Sequence, residues 1–111
     1  MNYKIKFFNL FTMCIKAGKL LKGFDISMDA VKSGDVFLVM TASDISPKTL
    51  KEVRFVCEKN KSVKMAELPF SIDELSMSIG KKAGVVAVSD KGFADRLYEY
   101  AVCAANDRTE D

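Results

Sequence analysis

The 111-residue sequence contains no histidine and no tryptophan. Without an imidazole, the chain cannot form a Ser-His-Asp or Cys-His catalytic pair, a histidine general base, or a histidine-containing zinc site. The three cysteines, Cys14, Cys57 and Cys103, are odd in number and include no Cys-x-x-Cys pair. This spacing argues against a disulfide framework or a thiolate metal cage and favours buried thiols in a reducing compartment. We therefore expect a protein that is not an enzyme and that has no metal or cofactor.

Long apolar runs are also missing. The run that begins at Phe7 is interrupted by Asn9 and Thr12, and no small-residue cleavage site follows it. No stretch approaches the roughly 20 apolar residues that a membrane-spanning helix needs. We expect a cytoplasmic protein with no membrane partner.

The composition fits one folded domain over residues 1–111, with a polar tail over 106–111. Hydrophobic residues make up 49% of the chain, which is enough to bury a core at this length. Basic residues exceed acidic ones by only two, so the net charge alone does not identify a polyanionic partner.

Hydrophobic periodicity and capping residues divide the chain into alternating helices and strands. Three- and four-residue spacing predicts a helix over 4–17 and another over 25–33. Ser46-Pro47 and the capping box Ser71-Ile72-Asp73-Glu74 begin two more helices, which end near 60 and 79, and Asp90 caps the last one. The intervening segments 20–22, 36–40, 63–68 and 85–88 are the predicted strands.

Alternation of strands and helices implies a sheet covered by helices on both faces. The strand over 36–40 is wholly apolar, which is typical of the centre of such a sheet. We predict an α/β fold, a three-layer α/β/α sandwich with a mixed sheet of about four strands.

Positive charge is concentrated in two glycine-bounded loops. Residues 1–24 contain five lysines and no carboxylate, and Lys19, Lys22 and Gly23 lie immediately before the second helix. Lys81, Lys82, Ala83 and Gly84 form a second loop before the last strand. Lysines beside unpaired helix N-terminal amides can hold a phosphate. The alternative is that these are ordinary surface lysines that solvate the fold.

The order of these motifs resembles the ribosomal kink-turn-binding protein family, the L7Ae, L30e, S12e and Gadd45 group, and its small bacterial members above all. The resemblance is carried by five segments, which are Lys16 to Gly23, the helix that ends with Lys32-Ser33-Gly34, the apolar strand that leads to Ala42-Ser43-Asp44, Glu74 to Gly80, and Val85 through Ala94. It extends over essentially the whole chain and implies the same α/β/α fold. It also implies RNA binding.

The family's RNA signature, a Gly-x-Asn-Glu-x-x-Lys run that recognises sheared guanine–adenine pairs, is altered at this position. Here Gly23 is followed by Asp25, Ile26 and Asp29 where the signature has asparagine, glutamate and lysine. Isoleucine cannot accept hydrogen bonds from guanine, and the two carboxylates repel phosphates. Lys19, Lys22, Lys81 and Lys82 still fit the family's phosphate-facing positions, and the glycine-rich second loop remains.

The sequence thus predicts a non-enzymatic, ribosomal-protein-like domain that binds structured RNA and not DNA, with ribosomal RNA as one candidate partner. The predicted RNA-binding residues are Lys19, Lys22, Gly23, Phe24, Asp25, Lys81, Lys82, Ala83 and Gly84. The alternative is a protein-interaction or self-association module of the same fold that has lost kink-turn recognition. That alternative predicts an exposed apolar patch that includes Phe24, Ile26 and Met28.

Overall fold

The computed structural model describes residues 2–107, which form five helices and four strands. The helices are α1 (Tyr3–Lys16), α2 (Phe24–Ser33), α3 (Pro47–Glu58), α4 (Ile72–Ile79) and α5 (Lys91–Asp107). The strands are β1 (Leu20–Lys22), β2 (Leu38–Thr41), β3 (Lys64–Glu67) and β4 (Val85–Val88). None of the helices described here combines the length with the hydrophobicity that a membrane span requires.

Helix starts follow the capping residues that the sequence marks. The Ser46 hydroxyl accepts a hydrogen bond from the Thr49 amide, and Pro47 occupies the first turn of α3. Ser71 and Glu74 form the predicted capping box of α4, and the Asp90 carboxylate accepts from the Phe93 amide at the start of α5. Each cap satisfies an amide that has no intrahelical acceptor.

The sheet has the strand order β1-β4-β2-β3. β4 is antiparallel to both of its neighbours, whereas β2 and β3 are parallel. Every residue of β2 and β4 is buried, which confirms the central position predicted for the apolar segment 36–40, although the strand itself begins at Leu38. β3 is an edge strand whose end residues are exposed.

Helices cover both faces of the sheet, which confirms the three-layer α/β/α sandwich. On one face, α1, α4 and α5 bury Phe7, Leu75 and Leu97 against β2 and β4. On the other face, α2 and α3 bury Val31 and Val53. The alternating side chains of the two central strands point into these two cores in turn.

The cysteines and the C-terminus differ slightly from expectation. Cys14 and Cys57 are buried as predicted, but Cys103 is half-buried, because it lies outside the stripe of α5 that is buried through Leu97, Ala101 and Ala104. Burial raises the pKa of the Cys14 thiol to about 11, and the Asp90 carboxylate acts in the same direction. Asn106 and Asp107, the first residues of the predicted polar tail, are the last residues of α5. Residues 108–111 lie outside the described part of the chain.

Candidate nucleic-acid interface

The antiparallel pairing of β1 with β4 brings the two lysine-bearing loops together. Lys22 pairs with Val86, so the turn after β1 adjoins the loop that leads into β4. The Gly23 amide donates to the Val85 carbonyl at 2.8 Å, and the Lys81 ammonium donates to the Lys22 carbonyl at 3.4 Å. We call the surface formed by Lys22, Gly23, Lys81 and Lys82 the lysine junction.

The Lys22 ammonium has a structural contact within this junction. It donates to the Ile79 carbonyl, 3.1 Å away, in a half-buried position. That carbonyl lies in the last turn of α4, where carbonyls lack intrahelical donors and the helix dipole is negative. Lys22 therefore ties the end of α4, and the loop that follows it, to the end of β1.

Gly23 turns the chain from β1 into α2 in a conformation that only glycine adopts readily. Its φ of 121° and ψ of 159° lie in a region that L side chains avoid. A β-carbon there would lie 3.8 Å from the Ile26 side chain and 3.9 Å from the Lys81 ammonium. The Lys81 ammonium thus lies beside the backbone of the turn.

The first turn of α2 has no side-chain cap, because Gly23 occupies the N-cap position. The amides of Phe24 and Asp25 lie at this end, where the helix dipole is positive. Asp25 is exposed and places a carboxylate in the same turn, which opposes anion binding there. The positive charge of the junction therefore lies mainly on its lysines.

The second loop combines two exposed cations with two residues that hold its shape. Lys81 and Lys82 are exposed. The half-buried Ala83 amide donates to the Ser76 hydroxyl at 3.2 Å, and the Gly84 carbonyl accepts from Ala42. A β-carbon on Gly84 would come within 2.5 Å of the Ile45 side chain, so glycine leaves the space that this side chain occupies.

Lys19 lies apart from the other predicted site lysines. Its carbonyl accepts from the Ser89 amide at the opposite end of the β1–β4 pair. Lys19 and Lys22 are three positions apart along the extended chain, which corresponds to about 10 Å. The structure therefore brings Lys22, Lys81 and Lys82 together but leaves Lys19 at the other end of the sheet.

The apolar patch expected for a protein-interaction module is smaller than predicted. Ile26 is 49% exposed, and Phe24 is half-buried. The prediction that Met28 is exposed is wrong, because Met28 lies on the face of α2 that packs on the sheet and is only 3% exposed. This leaves one freely exposed apolar side chain among the three residues proposed.

Two features of this region were not predicted from the sequence. The partner of Lys22, the Ile79 carbonyl, is 57 residues away along the chain, and no local pattern links the two. Phe55 on α3 is 60% exposed. The signal for Phe55 was present, since it falls outside the buried stripe that is formed by Val53 and Cys57.

The described residues contain no cluster of side chains that could bind a metal ion. Across residues 2–107, no three potential ligands of the histidine, cysteine, aspartate or glutamate type lie close enough together to hold an ion. What the junction offers chemically is ammonium groups and backbone amides, which suit phosphate oxygens.

Comparison with known proteins identifies the family of the chain. The family described as "Ribosomal protein L7Ae/L30e/S12e/Gadd45 family" matches residues 8–98. The chain belongs to this family. The matched residues include the lysine junction and all four strands, so the resemblance seen in the order of the sequence motifs is confirmed.

Two curated relatives in this family are named as RNA-binding proteins. The chain is 33% identical over 98 residues to "RNA-binding protein YlxQ" of Enterococcus faecium, a match that covers 85% of this chain and 89% of the relative. The protein of the same name from Bacillus subtilis (strain 168) is also 33% identical over 98 residues, covering 84% and 92% of the two chains.

Solved structures confirm the fold. A protein of unknown function from Bacillus halodurans C has a TM-score of 0.80 at 28% identity, covering 87% of this chain and 97% of the other. The Giardia lamblia 15.5kD RNA binding protein has a TM-score of 0.70 at 16% identity, covering 94% and 88%. The second likeness is one of fold alone.

Proposed function

We propose that this protein is a non-enzymatic RNA-binding protein that contacts the phosphates of structured RNA through the lysine junction. The observation that carries the proposal is the contact between the two loops, in which the Lys81 ammonium lies against the Lys22 carbonyl and beside Gly23. The two curated relatives, both named as RNA-binding, support the same function.

Charge and accessibility favour Lys81 and Lys82 as the phosphate contacts. Both are exposed, and neither forms an ion pair in the part of the chain that the structure describes. Cations without an ion-pair partner attract a polyanion without first losing an opposite charge, and the hydrogen bond from Lys81 to the Lys22 carbonyl leaves its other ammonium protons free for phosphate. The amides of Phe24 and Asp25 assist at the start of α2, while the Asp25 carboxylate weakens the local field.

The altered signature affects how the RNA is recognised. Ile26 occupies the position where the family signature has glutamate, and it presents methyl groups beside Gly23 instead of a carboxylate. Contacts made by lysines and backbone amides go to phosphates and fix position, whereas base edges provide sequence selectivity. We therefore expect binding that depends on RNA shape and on salt more than on guanine–adenine pairs.

Binding to a kink-turn RNA and to a plain hairpin, each at two salt concentrations, tests this proposal. We expect affinity for both RNAs, with a steep decrease as salt rises. A strong preference for the kink-turn would show that base recognition persists without the glutamate. Absence of affinity for either RNA at low salt would refute the proposed function.

Paired lysine variants locate the contact. Lys81→Ala/Lys82→Ala should reduce the slope of log affinity against log salt by about 1.5, since each phosphate contact contributes roughly 0.7–0.9. Lys16→Ala/Lys61→Ala removes the same charge from exposed positions at the opposite end of the sheet and should retain the slope. Equal effects of the two variants would mean a diffuse electrostatic attraction and would contradict a site at the junction.

A further inference from the structure

A groove of about 680 Å³ lies between α2 and α3 and extends along these helices from the end that is near the lysine junction. Phe24, the residue that follows Gly23, lies at one end of it. The groove shares Lys32, Phe55 and Val56 with a second hollow of about 370 Å³ that extends to Asn60. The two form one trough that begins beside the proposed RNA contact and continues along both helices.

The floor of this trough is apolar and includes two aromatic rings. Phe24 and Met28 contribute from α2, and Phe55 and Val56 contribute from α3. Phe55 is 60% exposed, which is unusual for a phenylalanine on a helix whose other face is buried. The Lys59 ammonium lies 4.2 Å from the centroid of the Phe55 ring.

The rim of the trough carries more positive than negative charge. Its basic side chains are Lys32, Lys51, Arg54 and Lys59, and its acidic side chains are Glu52 and Glu58. An apolar helix docked here would desolvate several of these cations without offering them acceptors. A nucleic-acid strand instead provides phosphates for the rim and flat bases for the floor.

We propose that this trough binds a single-stranded segment of RNA that extends from the structured RNA held at the lysine junction. The inference rests on the proposed function, because it is the junction that places RNA at the Phe24 end. A base stacks on Phe55 while Lys59 moves from the ring face to a neighbouring phosphate. Aromatic floors with cationic rims are the general means by which proteins bind single strands without sequence preference.

The test measures the affinity of the protein for four RNAs. These are a kink-turn RNA, the same RNA with about eight uridines added at the 5′ end, the same RNA with the uridines at the 3′ end, and the free oligouridine. We expect one extension to raise affinity. Phe55→Ala should remove that gain, which amounts to about a tenfold loss of affinity for the extended RNA. Phe55→Tyr should retain it, since tyrosine also offers a ring for stacking.

Two controls separate stacking from general damage. Val102→Ala truncates an apolar residue that is 40% exposed on α5, on the other side of the sheet, and should leave the gain intact. Thermal unfolding of Phe55→Ala should match that of the parent protein, because the side chain is mostly exposed.

The outcomes distinguish this inference from the function on which it rests. If the unextended RNA binds but neither extension adds affinity, or if the gain survives in Phe55→Ala, the trough is not an RNA site. If none of the RNAs binds, the proposed function fails as well. Self-association that Phe55→Ala abolishes, with no change in RNA affinity, would assign the trough to a protein contact and overturn the inference.

Discussion

Lys22 belongs to the lysine junction and also donates a hydrogen bond that stabilises the fold. Replacing it shows whether it acts on RNA binding or on stability. In Lys22→Met, the aliphatic part of the side chain is kept and the ammonium is lost. The carbonyl of Ile79 then loses a charged donor 3.1 Å away, at the end of α4. We expect the variant to be less stable than the parent protein and to bind RNA with the same salt dependence.

The magnitude follows from the environment of this hydrogen bond. Bonds to charged groups contribute about 1.5–3 kcal/mol, and a cation at a helix C-terminus contributes about 0.3–1 kcal/mol. The contact is only half-buried, so water can replace part of the lost interaction. We therefore expect a loss of about 1 kcal/mol, which lowers the Tm of a chain of this length by about 4–5 °C.

Two measurements decide the role of Lys22. Thermal or urea unfolding gives the stability change, with Lys82→Met as the matched control, because Lys82 is exposed and should tolerate the same change. The salt slope of RNA binding gives the number of phosphate contacts. An unchanged Tm together with a slope reduced by about 0.8 would show that Lys22 is a phosphate ligand and would refute the structural role.

Three further predictions concern stability. Gly23→Ala should lower the free energy of unfolding by about 1–3 kcal/mol in urea titrations, because alanine must adopt the φ of 121°; an unchanged midpoint would contradict the strain. Burial and Asp90 raise the pKa of the Cys14 thiol to about 11, so its neutral form stabilises the folded state fully below about pH 9. That contribution, about 2–3 kcal/mol, should disappear as pH rises from 9 to 11. The free energy of unfolding of Cys14→Ala should therefore fall less steeply over this pH range, and an equally steep fall would show that the Cys14 thiol is not its cause. Ser71→Ala should cost about 1 kcal/mol in thermal unfolding by removing the capping box with Glu74, and no loss would mean that water replaces the cap.

Local signals in the sequence were sufficient for most of the fold. Ser46 and Ser71 are followed by helices because their side chains satisfy amides only a few residues away. The apolar runs in β2 and β4 mark central strands because both of their faces are covered. These interactions are local or depend on composition, so they can be recognised without the tertiary structure.

The candidate site depended on information that the sequence pattern does not contain. Whether Lys22 meets Lys81 is decided by the pairing of β1 with β4, and Lys19 lies at the far end of that same pair. The burial of Met28 depends on how α2 rotates against the sheet, which the short apolar pattern of this helix left open. Contacts between distant segments, such as Lys22 with Ile79, can be recognised only when the order and pairing of the strands are known.

The most direct test of RNA binding at the lysine junction is to titrate the isotopically labelled protein with a kink-turn RNA and to follow its backbone amide resonances. We predict that the shifts concentrate at residues 22–26 and 80–84, where the two loops meet. Shifts confined to the surface around Lys16 and Lys61, or none at RNA concentrations that other assays show to be saturating, would contradict RNA binding at the lysine junction.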